Sequence, residues 1–341
     1  MKTDLDWMRL ALREARKGVG KTSPNPAVGA VIAKNGVVLS TGWHRKAGRP
    51  HAEIEAIRAL PDSALARGAT IYVTLEPCST HGRTPPCVEA ILQAGFSRVC
   101  VGTTDPNPAH AGRGLDRLRE NGLEVDSGIL EAECRQLNEA FNHWIVTRRP
   151  FVIAKCAMSL DGRITRPPGE SQWLTSPPAL RRVHRMRSEV DAILVGAETV
   201  RKDDPALTIR GLGKPAAQRQ PWRVIVSRSG NLPSQARLFT DEWKDRTLVF
   251  NDLETALTEL GQREITSVLI EGGGELLGSA FDRQLVSRVA FFYAPILVGG
   301  DKSAVAGKGV DSNATALTLE DVHYETIGPD LFCTALVKKI E

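Results

Sequence analysis

The residues of this chain best suited to chemistry are His51, Glu53, Cys78 and Cys87. One imidazole and two thiolates make the protein half of a zinc site, and the fourth tetrahedral position then falls to water. Zinc lowers the pKa of such a water to about 7, which provides a nucleophile at neutral pH. Glu53 stands two residues from His51, within reach of the same water as a general acid and base. The quartet reads as a hydrolytic centre, with His51, Cys78 and Cys87 on the metal and Glu53 moving protons. A closed structural knot is the competing reading, and its fourth ligand would have to be His44, His81 or Glu53.

Spacing sharpens the choice. His51-Ala52-Glu53 and Pro77-Cys78 match the H-x-E and P-C parts of the signature of zinc nucleobase deaminases, in which the glutamate is a proton shuttle and not a ligand. The second cysteine departs from it, because eight residues, Ser79 to Pro86, separate Cys78 from Cys87 where that signature has two. An insert of this length loops out and returns as a wall of the pocket. Its His81 and Arg83 suit a phosphate or an electron-rich ring.

The bulk numbers bound the rest. A chain of 341 residues exceeds one typical core, so two domains are expected. Hydrophobic content of 42% and charged content of 25% are those of an ordinary globular enzyme. A net charge of +4, spread along the chain, agrees with anionic small substrates and makes no case for a nucleic-acid groove. No apolar run approaches the roughly 20 residues of a membrane span, and the opening Met1-Lys2-Thr3-Asp4-Leu5-Asp6-Trp7 is not a signal peptide. Cys100, Cys134, Cys156 and Cys333 lie in or near apolar runs and read as buried thiols of a reducing, cytoplasmic protein.

The elements that must hold the quartet follow from periodicity. Trp7, Met8, Leu10, Ala11, Leu12 and Ala15 keep helical spacing, with Asp4 or Asp6 available as the cap. Asn35-Gly36 between two apolar runs predicts a hairpin. A helix starting near His51 places His51 and Glu53 in its first turn. A strand at Ile71 to Leu75 ends at Glu76-Pro77-Cys78, and Cys87 opens the next helix, where the N-terminus favours its thiolate. Strand and helix alternate, which implies a three-layer α/β sandwich with its site at strand C-termini.

A basic, proline-ended join at Arg148-Arg149-Pro150 marks the boundary, giving domains over 1–147 and 148–341. Beyond it, strands are expected near Phe151–Ala157, Ala192–Val195, Arg223–Val226, Thr247–Phe250, Val268–Glu271 and Val289–Tyr293, with an antiparallel edge after Asp282. Ser176-Pro177-Pro178 reads as a capped helix start. No G-x-G-x-x-G is present. Instead Gly272-Gly273-Gly274 stands between a strand and a helix, where backbone N–H groups and about half a positive charge at the helix N-terminus suit an anion.

Ser23-Pro24-Asn25-Pro26-Ala27-Val28-Gly29, Pro50-His51-Ala52-Glu53, and Glu76-Pro77-Cys78 through Gly82-Arg83-Thr84-Pro85-Pro86-Cys87 together resemble the deaminase domain of the bifunctional riboflavin-biosynthesis deaminase–reductases. Asp161-Gly162-Arg163-Ile164-Thr165, Gly169-Glu170-Ser171-Gln172-Trp173, Val195 to Val200 and Asp203 to Thr208 resemble the reductase half of the same family. The resemblance implies a cytidine-deaminase-like domain followed by a dihydrofolate-reductase-like domain that uses NADPH. It further implies zinc-dependent hydrolytic deamination of 2,5-diamino-6-ribosylamino-4(3H)-pyrimidinone 5′-phosphate. Reduction of the ribosyl group of 5-amino-6-(5-phosphoribosylamino)uracil to ribityl would follow. The partner is then a phosphorylated pyrimidine, with no nucleic acid or membrane, and the family suggests a homodimer through the reductase half.

Carried over by position, the cofactor contacts are Ala157, Trp173, Thr199, Asp203, Ser227, Gly273 and Gly274, and the substrate contacts are Ser171, Arg187, Leu207, Arg210 and Glu271. Arg187 and Arg210 suit a bidentate grip on the ribose phosphate. Arg228 is a candidate for the 2′-phosphate of the cofactor. Lys155 is a candidate proton donor, or else the partner of Asp161 or Glu271. Asn25 suits a hydrogen bond to the ring or ribose, and His44, His81 and Arg83 suit the phosphate or ring. A nucleic-acid or nucleoside deaminase with an appended ligand-binding module is the alternative; it would want base-stacking aromatics, and only 5% of residues are aromatic. A zinc-stabilised binding protein without catalysis would lack Glu53 or the glycine turn, and both are present.

Overall fold

The computed structural model describes residues 2–80, 85–108, 110–164, 173–213 and 219–338. His81, Arg83 and Ser171 lie outside the described residues. The chain divides into two units, Met1–Arg148 and Arg149–Glu341.

The first unit opens with the helix Asp4–Arg16, whose cap is Thr3 and not Asp4 or Asp6. The Thr3 hydroxyl accepts from the Asp6 N–H while the Asp6 carboxylate accepts from the Thr3 N–H at 2.9 Å, so each satisfies a donor the other leaves open. Strands β1 (Gly29–Lys34) and β2 (Val37–Trp43) form the hairpin, with φ of 53° at Asn35 and 76° at Gly36 as a tight mirror-image turn requires. With β3 (Thr70–Val73), β4 (Arg98–Val101) and β5 (Glu124–Ser127) the sheet order is β2-β1-β3-β4-β5. β1 runs antiparallel to both neighbours, and β3, β4 and β5 are parallel.

Side chains alternate across β1. Ala30 and Ile32 join a cluster with Ala52, Ala56, Val88, Ile91 and Leu115, while Val31 and Ala33 join one with Trp7, Met8, Ala11 and Cys134. Helices therefore cover both faces, as the three-layer expectation requires. Each fully buried Ile or Leu in these clusters contributes about 1.5–3 kcal/mol relative to exposure. The helix Ala52–Arg58 lies hard against β2 at Gly42, where a Cβ would meet the backbone N of Ala56 at 2.3 Å and the carbonyl O of Ala52 at 2.4 Å. That contact sets the height of His51 and Glu53 over the sheet.

The second unit contains β6 (Phe151–Ser159), β7 (Ala192–Gly196), β8 (Trp222–Val226), β9 (Thr247–Phe250), β10 (Ser267–Ile270), β11 (Arg288–Ala294), β12 (Leu319–Ile327) and β13 (Asp330–Val337). Their order is β12-β13-β11-β6-β10-β7-β8-β9. β11 through β9 run parallel, and β13 and β12 add the antiparallel edge expected after Asp282. Helices Leu253–Gln262 and Gly274–Asp282 bury Leu257, Leu260, Leu277 and Ala280 with Val152, Ala154, Val224 and Val268 on one face of this sheet. The helix Pro177–Glu189 does begin after Ser176, but Ser176 is not a side-chain cap. Its N–H and hydroxyl both donate to Asp330 Oδ2, at 2.8 and 2.5 Å, tying the helix start to β13.

Candidate functional site

In the first unit three chain segments converge. His51 is the N-cap of the helix Ala52–Arg58, Cys78 follows β3, and Cys87 is the first residue of the helix Cys87–Ala94. His51 Nδ1 lies 3.6 Å from Cys78 Sγ and 3.2 Å from Cys87 Sγ, and the three ligand atoms fall within 4.8 Å of one another. A tetrahedral zinc ion with bonds of about 2.0 Å to nitrogen and 2.3 Å to sulfur sets such ligands about 3.6 Å apart. The donor set and its spacing therefore fit zinc. The Cys87 N–H donates to Cys78 Sγ at 3.3 Å, which favours a thiolate there. Contact with Cys87, followed by His51, holds the Cys78 thiol far below its usual range, whereas the same contact and burial push Cys87 up.

Glu53 is 3% exposed in the first turn of the same helix. Burial pushes its carboxyl above the ordinary range, opposed by His51, as suits a group that both takes and returns a proton. His44 differs from expectation. It is 2% exposed, with Nδ1 3.0 Å from the Pro50 carbonyl and Nε2 3.1 Å from the Asn25 amide nitrogen. Burial pushes its pKa down, and a neutral ring donating from Nδ1 and accepting at Nε2 satisfies both partners. No ring edge is left for a phosphate, so His44 sits behind the site, edge-on to His51 with centroids 5.2 Å apart, and orients Asn25.

In the second unit several of the residues singled out lie near or just past the C-terminal ends of the neighbouring parallel strands β6, β10, β7 and β8, where such sheets usually bind ligands. Ala157 is on β6, Thr199 and Asp203 are on the helix Ala197–Asp203 after β7, Ser227 follows β8, and Glu271 to Gly274 follow β10. Trp173 is 49% exposed.

Glu271 and Arg187 form a buried bidentate pair, Nε to Oε1 at 2.7 Å and Nη2 to Oε2 at 2.9 Å. Burial alone would raise the Glu271 carboxyl, and Arg187 outweighs it and holds it below the usual range. Arg187 Nη1 donates to the Thr208 carbonyl at 2.9 Å. This corrects the expected two-arginine phosphate grip, because the guanidinium fork of Arg187 is already filled, whereas Arg210 is exposed. Leu207 is narrowed to a backbone contact. Its side chain is 3% exposed, packed with Val195, Val200 and Ile225, so it offers a ligand only backbone.

His184, one helical turn before Arg187, was not singled out in the sequence. Its Nδ1 accepts from the Arg210 N–H at 3.3 Å, and burial followed by Arg187 and Arg210 pushes its pKa down to about 4. The three-residue spacing from Arg187 was the only signal for it.

Two features here fit a dinucleotide. The Ser227 hydroxyl is buried with no hydrogen-bond partner among the described residues, an open polar atom just past β8. At the start of the helix Gly274–Asp282, a Cβ on Gly274 would lie 2.1 Å from the Ser303 carbonyl, while one on Gly273 would meet nothing within 4 Å. Gly274 lets the helix close on the 303 segment, and Gly273 leaves the approach to its N-terminus open for a phosphate.

Residues 1–103 match the cytidine and deoxycytidylate deaminase zinc-binding region, and residues 150–333 match the RibD C-terminal domain. Riboflavin biosynthesis protein RibD of Synechocystis sp. is 42% identical over 98% of this chain and 96% of its own. That of Escherichia coli is 38% identical, covering 97% and 98%. Acinetobacter baumannii RibD superposes with a TM-score of 0.89 at 35% identity, covering 98% of this chain and 99% of the other. The diaminohydroxyphosphoribosylaminopyrimidine deaminase/5-amino-6-(5-phosphoribosylamino)uracil reductase of Thermotoga maritima gives 0.88 at 34% identity, with the same coverage. Both halves and nearly the whole length agree, and the chain belongs to the RibD family, the bifunctional deaminase–reductases of riboflavin biosynthesis.

Proposed function

We propose that residues 1–147 deaminate the ribosylated diaminopyrimidinone 5′-phosphate and that residues 148–341 reduce the resulting 5-amino-6-(5-phosphoribosylamino)uracil with NADPH. The observation that carries this reading is the His51–Cys78–Cys87 triangle, with separations of 3.2–3.6 Å about His51 and Glu53 buried beside it. Zinc, when bound, supplies Lewis-acid activation of water at neutral pH. Glu53 accepts one proton of the attacking water and passes it to the ring nitrogen, then takes the second from the hydroxyl so gained and passes it to the amino group, which departs as ammonia. Asn25, oriented by His44, hydrogen-bonds the ring or ribose.

In the second half NADPH, when bound, would supply the hydride for reduction of the ribosyl group. Ser227, Gly273, Gly274, Thr199, Asp203, Ala157 and Trp173 bind and orient the cofactor. Arg210 holds the substrate phosphate, while the Arg187–Glu271 pair shapes the pocket floor. Lys155 delivers the proton that accompanies ring opening. It forms no ion pair among the described residues, its charge helps lower Glu271, and Asp161 is occupied by the Val298 and Gly299 N–H groups.

A homodimer through the second unit is supported by β12, an edge strand exposed along nearly its whole length, with Val322 and Tyr324 at 40% and 69% exposure. A cytoplasmic setting is supported by six free cysteines. No helix among the described residues is long and apolar enough to cross a membrane.

Ammonia release and NADPH oxidation, followed together on the ribosylated diaminopyrimidinone 5′-phosphate, test the whole reading. Ammonia first and NADPH loss after it is the expected order. Silence in both with zinc bound would refute it.

A further inference from the structure

Glu76 is a buried carboxylate of the first unit that the chemistry above does not use. It is 5% exposed, just past β3 and two residues before Cys78. Its Oε2 accepts from the N–H groups of Asp105 and Gly112, both at 3.0 Å, and its Oε1 accepts from the Gly114 N–H at 2.8 Å. The Glu76 N–H itself donates to the Thr103 carbonyl at 2.9 Å.

Gly112 is the N-cap of the helix Arg113–Glu120, so the carboxylate fills that helix's N-terminus, where unpaired N–H groups and the macrodipole both favour an anion. Every one of its named donors is a backbone amide of one connected stretch, with Asp105 at one end and Gly112 and Gly114 at the other. A second tie comes from the same side, since Thr80 Oγ1 lies 3.4 Å from His110 Nδ1. The Asp105 carboxyl is pushed up by burial, and Glu76 and Cys78 add to the push, which places this stretch within the electrostatic reach of the metal site.

We propose that Glu76 is a positioning residue for deamination. By holding both ends of the 105–112 loop against the segment that carries Cys78, it fixes a wall of the pocket and so sets the affinity for the pyrimidine substrate. The proposal rests on the deaminase reading above. It differs from simple support of the metal, because Cys78 has its own N–H donor from Cys87 and its own place in the ligand triangle, neither of which passes through the Glu76 carboxylate.

Glu76→Gln tests it with little change of shape. The amide has one oxygen to accept with, and its NH2 must face at least one backbone N–H, donor against donor. The variant is expected to keep zinc at one per chain and to oxidise NADPH on the deaminated substrate at the wild-type rate. Its KM for ammonia release is expected to rise about tenfold or more, with kcat changed much less, as removal of a ground-state and transition-state contact alike requires. Amide hydrogen exchange is expected to accelerate across 105–114 and not across the helix Ala52–Arg58.

An unchanged KM with unchanged exchange overturns the proposal. So does loss of zinc, or a fall in kcat at constant KM, either of which makes Glu76 a support of the metal alone. If Glu76→Gln does not fold, Thr80→Val removes the second tie without burying a charge; a KM rise there supports the proposal and an unchanged KM overturns it. Absence of ammonia release from the wild-type protein would be a failure of the deaminase reading itself, and the exchange experiment on the same samples separates the two.

Discussion

Arg187→Met is the sharpest test of the reductase site as built. Arg187 and Glu271 have side chains only 8% exposed each, joined by two hydrogen bonds of 2.7 and 2.9 Å. Removing the cation leaves a buried carboxylate uncompensated, which typically costs about 3–5 kcal/mol. At about 2–4 °C per kcal/mol for a unit of this size, the second unit's melting transition is expected to fall by about 10 °C. The pH dependence changes sign. In the wild type Glu271 titrates below its ordinary 4.5, so the pair's contribution is present above that value and is lost as pH falls through the lower, folded-state pKa. In the variant burial acts unopposed by Arg187 and lifts the folded-state pKa above 4.5. The folded variant then binds more protons than the unfolded chain, and its stability rises as pH falls from neutrality toward that value. Replacing both partners, Arg187→Met with Glu271→Met, is expected to restore most of the lost stability and none of the reduction. Calorimetry from pH 4 to 8, with NADPH oxidation and ammonia release on the same samples, measures all of this. A single variant that melts like the wild type, or a double variant no more stable than the single one, would refute the reasoning.

Glu53→Gln is expected to retain zinc and lower the kcat for ammonia release by about 10²–10⁴-fold, while NADPH oxidation on the deaminated substrate is spared; metal analysis beside both assays checks it, and loss of zinc would make Glu53 structural. Gly42→Ala places a methyl 2.3 Å from the Ala56 backbone N and is expected to lift the helix bearing His51 and Glu53, costing about 1–3 kcal/mol and weakening zinc retention in a chelator competition. His184 titrates at about 4 when folded against 6.5 ordinarily, so the unfolded chain binds more protons between those values. Stability is therefore lost as pH falls through that window, and His184→Gln is expected to flatten the slope there when melting temperature is followed against pH.

What the sequence by itself determined was local chemistry and local geometry. His51, Glu53, Cys78 and Cys87 are recognisable because a metal site admits few residue types. Asn35-Gly36 is legible because only such residues tolerate consecutive left-handed φ values, and the strand near Phe151 is legible because its apolar run is. Caps were less secure: Thr3 competes with Asp4 and Asp6 within one turn, and the preference is decided by which side chain reaches an open N–H. The tertiary structure alone decided where long polar side chains end. Arg187 looked like a phosphate ligand until Glu271, 84 positions away, filled its fork, and Ser176 looked like a helix cap until Asp330, 154 positions away, took both its donors. His44 and Glu76 follow the same rule, one claimed by Asn25 and Pro50, the other by the amides of Asp105, Gly112 and Gly114. A buried polar group must find its partner wherever the fold brings one, and that partner's position in the chain is set by packing and not by spacing.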